Sequence, residues 1–170
     1  MIYWGEETSI SNQDRIGRSY APKGQTPVIA RTAERITRSM IAAVSNRGLL
    51  RFMLYKGALN ADGFIAFLRR LIKDAGQKVI LIVDNLKVRK AGKVQAWVAS
   101  HAHEIELRYL PSYAPDHNPS EHLNNDLKQQ LRQQRQPGSE EELVERTRAV
   151  LRAIQRSPER IQGYFKPRDT

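Results

Sequence analysis

Three carboxylates in this sequence stand where an acid can do chemistry. Asp84 directly follows Val79-Ile80-Leu81-Ile82-Val83, an unbroken aliphatic run. That composition suits a central strand buried on both faces, and ligands gather beyond the carboxyl ends of such strands. A carboxylate there is held rigidly and partly desolvated, as a metal ligand should be. The plainer alternative is that Asp84-Asn85 only turns the chain. Glu6 ends a short apolar strand candidate, Met1 to Gly5. If that strand lies parallel to Val79–Val83 and beside it, Glu6 and Asp84 emerge at one edge. By itself Glu6 reads as a solvated loop acid, with Glu7 an equal candidate. Glu121 lies in a strong helix start: Asn118 as cap, Pro119 in the first helical position, Glu121 completing a capping box. Capping alone is worth about 1 kcal/mol. A chemical role requires Glu121 to point at Asp84 from the first turn.

Other reactive types are absent or badly spaced. The 170 residues contain no cysteine, which excludes disulfides, thiolate zinc sites and cysteine nucleophiles. His101 and His103 are two apart and share no helix face; His117 and His122 flank Glu121 and read as solvated groups within reach of a substrate. Lysine and arginine total 28 against 18 acids, a formal charge of +10. Such an excess points to a polyanionic partner, nucleic acid first and an anionic membrane second. Lys87, Arg89, Lys90 and Lys93 lie in an acid-free stretch just after the apolar run and are the candidate DNA contacts. No apolar run approaches the roughly 18–20 residues of a membrane span. The opening residues carry Glu6 and Glu7 and no basic segment, unlike a signal peptide, so the cytoplasm is the expected compartment.

The elements that must position these residues can be read from periodicity and punctuation. After Met1–Gly5 comes a polar loop marked by Gly17, Pro22, Gly24 and Pro27. Residues 28–32 and 36–45 read as extended, and 49–55 return as a hairpin partner after Asn46-Arg47-Gly48. Asn60 caps a helix whose Phe64, Leu68, Leu71, Ile72 and Ala75 repeat at helical spacing until Gly76. Val94, Trp97, Val98 and His101 mark a second helix, and Ile105, Leu107 and Tyr109 alternate as a strand. Leu123, Leu127 and Leu131 form the stripe of the helix that starts at Asn118. Ser139 and Glu142 open a last helix, which stops before Pro158. The order β-β-β-α-β-α-β-α-α predicts a mixed sheet of five strands with helices packed on it.

Val83-Asp84-Asn85, followed by Leu110-Pro-Ser-Tyr-Ala-Pro-Asp-His-Asn-Pro-Ser-Glu121, resembles the second and third acidic motifs of mariner-type DDE transposases. The bacterial insertion-sequence branch of the Tc/mariner superfamily is the most similar. Trp4-Gly5-Glu6-Glu7-Thr8 and the stretch from Gly17 to Pro27 resemble the first motif and the loop behind it. The resemblance runs from about residue 2 to at least residue 131. It implies a ribonuclease-H-like fold, with residues 1–136 as the catalytic core and 137–170 as a helical extension packed on it. It implies that Glu6, Asp84 and Glu121 bind two magnesium ions, with manganese able to substitute, and that the chain nicks DNA at transposon ends and joins them to a target. Double-stranded DNA, a homodimer in the DNA complex and a separate N-terminal helix-turn-helix half are the implied partners, with no membrane; the implied location is the bacterial cytoplasm, at the nucleoid. Two positions depart from the family pattern. Glu6 stands where the family usually has Asp, and Arg89 where it commonly has His. The rival readings are an impaired remnant that only binds DNA or assembles, and a structure-specific nuclease of the same fold.

Overall fold

The computed structural model describes residues 1–13, 24, 35–84, 87–111 and 118–167, without the side chains of Lys87 and Arg89. Asn85, His117, most of the loop from Gly17 to Pro27, the extended stretch 28–32 and the centre of the proline-rich motif lie outside these residues. The elements are β1 (Ile2–Ser11), β2 (Thr37–Ser45), β3 (Leu50–Tyr55), α1 (Ala61–Lys73) and β4 (Val79–Val83). A 3₁₀ turn (Lys87–Lys90), α2 (Gly92–Ser100), β5 (Ile105–Tyr109), α3 (Pro119–Arg132), α4 (Glu140–Gln155) and α5 (Pro158–Gly163) complete the order.

The strands form one mixed sheet in the order β3-β2-β1-β4-β5. β1 pairs antiparallel with β2 and parallel with β4, and β4 pairs parallel with β5. The expected neighbouring of the first strand and Val79–Val83 is therefore present. Residue parity sorts the two cores. Tyr3, Ile41, Ala43, Val79, Leu81 and Val83 face one way, against Phe64, Phe67, Leu68 and Leu71 of α1 and Val94 of α2. Ile10, Met40, Ala42 and Val44 face the other way, against Leu123 and Leu127 of α3 and Leu143, Val150, Leu151 and Ile154 of α4. Each fully buried aliphatic or aromatic side chain contributes about 1.5–3 kcal/mol, so both helix layers are bound firmly to the sheet.

Three expectations change. β1 runs on to Ser11, because β2 pairs with it as far as Ser11 opposite Thr37; main-chain pairing is indifferent to the polarity of Glu6 and Glu7. β4 is fully buried on one face only. Val79, Leu81 and Val83 are 0% exposed, whereas Ile80 and Ile82 are half-buried, since α3 and α4 pack over β1, β2 and β3. Finally, the chain re-enters a helix at Pro158, which occupies the first helical position of α5, where its missing N–H costs nothing.

The caps behave largely as read. Asn60 Oδ1 accepts from the Gly63 N–H at 2.8 Å, and Asn118 Oδ1 accepts from the Ser120 N–H at 3.1 Å. Ser139 Oγ accepts from the Glu142 N–H at 3.2 Å, while Glu142 reaches back to the Gly138 N–H at 2.7 Å rather than to that of Ser139. α5 is tied to α3 by a forked ion pair from Arg160 to Asp126, at 2.7 and 2.5 Å, and by the Tyr164 hydroxyl donating to the same carboxylate. Burial opposes ionisation of Asp126, but the bonds from Arg160, Tyr164 and Gln130 outweigh it and hold its pKa below the usual value.

Gly48, in the β2–β3 turn, has φ of 86°, and a Cβ there would lie 2.7 Å from the Pro158 Cβ and carbonyl oxygen. Gly57 has a similar φ of 75° but open space around it. Gly48→Ala and Gly57→Ala should each cost about 1–2 kcal/mol through the left-handed backbone, and Gly48→Ala should lose further stability by pushing α5 away. Urea unfolding of the two variants measures this; equal losses would show that Pro158 yields freely.

Candidate active site

The parallel ladder of β1 and β4 ends with Gly5 opposite Val83. The next residue on each strand is an acid, so Glu6 and Asp84 stand level at the carboxyl end of β4. Glu6 is thus in the middle of β1 rather than at its end, but it is level with Asp84 as expected, because β4 stops while β1 continues. Glu6 shares the face of Trp4 and Ile10, which pack toward Phe165 and the α3–α4 core. Glu7 points to the opposite face, where its Oε1 accepts a bond from the Tyr55 hydroxyl. Burial, then the bond to Glu7, push that hydroxyl above its ordinary pKa. The two glutamates that were equivalent in sequence are separated by the sheet, and only Glu6 faces α3.

α3 brings the third acid and its supports. Glu121 is half-buried in the first turn, while Asp84 is exposed. Glu6 Oε2 accepts from Asn124 Nδ2 at 3.1 Å and lies 3.4 Å from Ser120 Oγ. The single Ser120 hydroxyl proton has a closer acceptor in Asn118 Oδ1, so Asn124 is the firmer support. Asn124 is itself buried, and its Oδ1 has no hydrogen-bond partner among the described residues. The pKa of Glu6 is pushed up to about 7, first by burial and then by the charges of Glu121 and Asp84; the Ser120 bond and Lys128 pull the other way. Glu121, Asn124 and Lys128 follow the i, i+3, i+7 spacing of one helix face. Extending that spacing from Glu121 would have found Asn124 and Lys128 in the sequence.

The three acids interact electrostatically, yet among the described residues no group of three or more His, Asp or Glu side chains is gathered closely enough to hold a metal ion. The donor chemistry nevertheless fits a hard divalent cation. Carboxylate oxygens are the preferred ligands of magnesium, and like charges that raise the proton affinity of Glu6 would be neutralised by such an ion.

The basic run is distributed differently from a single patch. The backbone of Lys87–Lys90 forms the 3₁₀ turn, but the side chains of Lys87 and Arg89 lie outside the described residues. Lys90 is exposed. Lys93 pairs with Asp62, with both side chains largely in solvent, so the pair stabilises little. His101 stacks on Trp97, with ring centroids 4.0 Å apart, and its Nδ1 lies 2.8 Å from the Trp97 carbonyl. It serves packing, in keeping with its spacing from His103.

A family model described as DDE superfamily endonuclease matches residues 1–144. No curated protein matches the chain. Among solved structures, the chain is similar to a pre-cleavage Mos1 transpososome, with 22% identity and a TM-score of 0.63 over 96% of this chain and 54% of that one. It is similar to the Mos1 mariner paired end complex with Mn, with 21% identity and a TM-score of 0.67 over 96% of this chain and 53% of that one. The catalytic domain of Mos1 mariner transposase matches with 19% identity and a TM-score of 0.57, over 96% of this chain and 80% of that one. The chain spans about half the length of the first two. These likenesses show the fold, which is ribonuclease-H-like as expected.

Because the folded pKa of Glu6 is raised, the folded chain holds this proton to a higher pH than the unfolded chain does. Stability is therefore lost as pH rises from about 4.5 to about 7 and stays lower above that. Glu6→Gln keeps a partner for Asn124 and removes the charge. In chelator it should melt above the parent at pH 8, with the difference closing toward pH 4.5. Identical melting curves at pH 8 would mean that the acids do not strain one another.

Proposed function

The chain belongs to the DDE superfamily endonuclease family, and from that premise we propose that it is the catalytic domain of a mariner-type DNA transposase, nicking DNA at transposon ends and transferring the cut strand to a target. The observation that carries this reading is the meeting of Glu6 and Asp84, level on adjacent parallel strands, with Glu121 close enough that both raise the proton affinity of Glu6. We assign the three carboxylates as ligands of two magnesium ions, with manganese able to substitute. Structures of Mos1 paired end complexes with Mn and with Mg support a divalent metal ion in this reading. When bound, such ions activate the attacking water or 3′-hydroxyl and stabilise the leaving oxygen.

The chain's own residues supply the rest. Asn124 holds Oε2 of Glu6, so this carboxylate keeps one orientation. Ser120 and Asn118 lock the first turn of α3 and with it the direction of Glu121. Lys90, Lys93, Lys87 and Arg89 are assigned to DNA phosphates, where they give affinity without sequence preference. The partners proposed are double-stranded DNA at transposon ends and target, a second copy of the chain in the DNA complex, and a helix-turn-helix half that reads the ends. Residues 1–136 form the catalytic core in this reading, and 137–170 an extension whose α4 side chains enter the same apolar cluster as β2. No helix among the described residues is long and apolar enough to cross a membrane; the proposed location is the bacterial cytoplasm, at the nucleoid.

Glutamate at position 6 extends the carboxylate by one methylene relative to the usual Asp, a displacement of about 1.5 Å. Magnesium tolerates little departure from octahedral geometry, and misplacement on this scale costs on the order of 100-fold in rate. Nicking of supercoiled plasmid by the parent should therefore be weak with magnesium and stronger with manganese. Glu6→Asp should gain rate, and Asp84→Asn should abolish nicking and the rise in melting temperature on adding manganese. Full activity of the parent with magnesium, and none gained by Glu6→Asp, would show that Glu6 is a competent ligand. Unchanged nicking by Asp84→Asn would remove Asp84 from the site.

A further inference from the structure

A second concentration of cations lies away from the acids, at the open edge of the sheet. β3 is an edge strand. α1 packs on one face of the sheet beside it and α4 on the other. Between these helices, across β3, runs a groove of about 510 Å³ lined by Arg51, Arg70, Lys73, Arg148 and Arg152, with Asp74 its only acid among the described residues. Arg51 is opposite Ala43, and Ala43 is opposite Gly5. Arg51 is thus level with Gly5, the neighbour of Glu6, but two strands away, roughly 10 Å across the sheet.

A solvated surface and the helix dipole are the bland explanations. Arg70, Lys73 and Arg152 do lie in the last turns of their helices, where a cation is favoured by about 0.3–1 kcal/mol. The dipole does not account for Arg51 on β3, or for Arg148, seven residues before the end of α4. Among the described residues no close ion pair neutralises these charges. Arg51 donates to the Leu50 carbonyl at 2.9 Å and is 3.9 Å from Asp74, at the limit of an ion pair, and Arg70 makes one long bond, 3.4 Å, to the Phe52 carbonyl. Four guanidinium groups from β3, α1 and α4, together with Lys73, therefore converge on one open groove with a net charge of about four. Planar guanidinium forks match phosphate oxygens, and an open groove lets an extended polyanion pass through.

We propose that this β3-edge groove binds the phosphodiester backbone of duplex DNA, at a segment other than the one whose phosphate meets Glu6, Asp84 and Glu121. The inference rests on the reading of the chain as a DNA-acting enzyme and adds a second DNA contact to it. Contact through phosphates makes the groove indifferent to sequence, and it strengthens binding most at low salt.

The test compares the full chain with Arg148→Glu/Arg152→Glu, with the milder Arg148→Gln/Arg152→Gln, and with Arg47→Glu/Lys78→Glu, which changes the net charge equally at exposed positions outside the groove. Anisotropy of a labelled duplex, without divalent metal and across a salt series, gives affinity and salt slope; melting curves verify folding, and nicking with manganese is followed separately. The groove reversal should weaken duplex binding at least about tenfold at low salt and reduce the slope by about two, one per lost phosphate contact. The Gln pair should reduce the slope similarly with the fold intact, and the Arg47/Lys78 pair should change it by less than half as much. Equal effects of the two reversals would reduce the groove to net charge and overturn the proposal. So would unchanged duplex binding by the Gln pair, including the case where loss of Arg148 and Arg152 only lets folded chains self-associate along the bare β3 edge. If the parent nicks and the groove variants bind normally, the groove alone fails. If the slope change appears while no protein nicks with either metal, the groove stands and the transposase reading fails.

Discussion

Everything at the candidate site depends on the register of one parallel ladder. Main-chain bonds between β1 and β4 place Gly5 beside Val83, and the next residue on each strand is then an acid. A slip of one residue would turn Glu6 toward the α1 face, where Glu7 meets Tyr55. The register is protected by packing. Tyr3, Leu81 and Val83 are buried on the same face, and a Cβ on Gly5 would come within 3.1 Å of the Leu81 Cδ1. Glycine at this position lets the two strands carry large side chains around it while the acids follow immediately.

The second constraint is electrostatic. Partial burial and two neighbouring acids make Glu6 reluctant to ionise, which destabilises the metal-free fold near neutral pH. The surrounding structure bears that load. Asn118 caps α3, Asn124 donates to the Glu6 carboxylate, and the Arg160–Asp126–Tyr164 cluster fastens α5 across α3. α3 is consequently held at both levels, by its first turn against β1 and further along by α5. A rigid helix carrying one acid and a rigid sheet carrying two can keep like charges near each other where mobile loops would let them drift apart.

Charge is also distributed by the fold. The cations that follow β4 are close to Asp84 in sequence, and Lys93 is engaged with Asp62. The cations of α1, β3 and α4 come from stretches far apart in sequence and meet only because both helices border the same edge strand. Edge cations discourage pairing with another sheet, so one set of residues can keep the chain from self-associating while presenting a surface to a polyanion.

Local sequence was sufficient where the determinants are local. The aliphatic run of β4, the Asn60 and Asn118 caps, the apolar stripe of α1 and the Pro119 helix start define elements within a few residues, and the structure keeps them. The candidate acids could be picked out too, through strand ends and through the spacing of Asp84 and Glu121, and their role is a proposal. Decisions that depend on distant partners were not. β1 reaches Ser11 only because β2 pairs along its length, and Ile80 and Ile82 stay half-buried only because α3 and α4 lie over other strands. Glu6 is distinguished from Glu7 by strand parity relative to α3, which no isolated segment contains. Asn124 and Lys128 matter because α3 presents that face to β1. Propensity and periodicity act over a turn or a strand, whereas register, facing and electrostatic proximity arise only when separate segments are packed together.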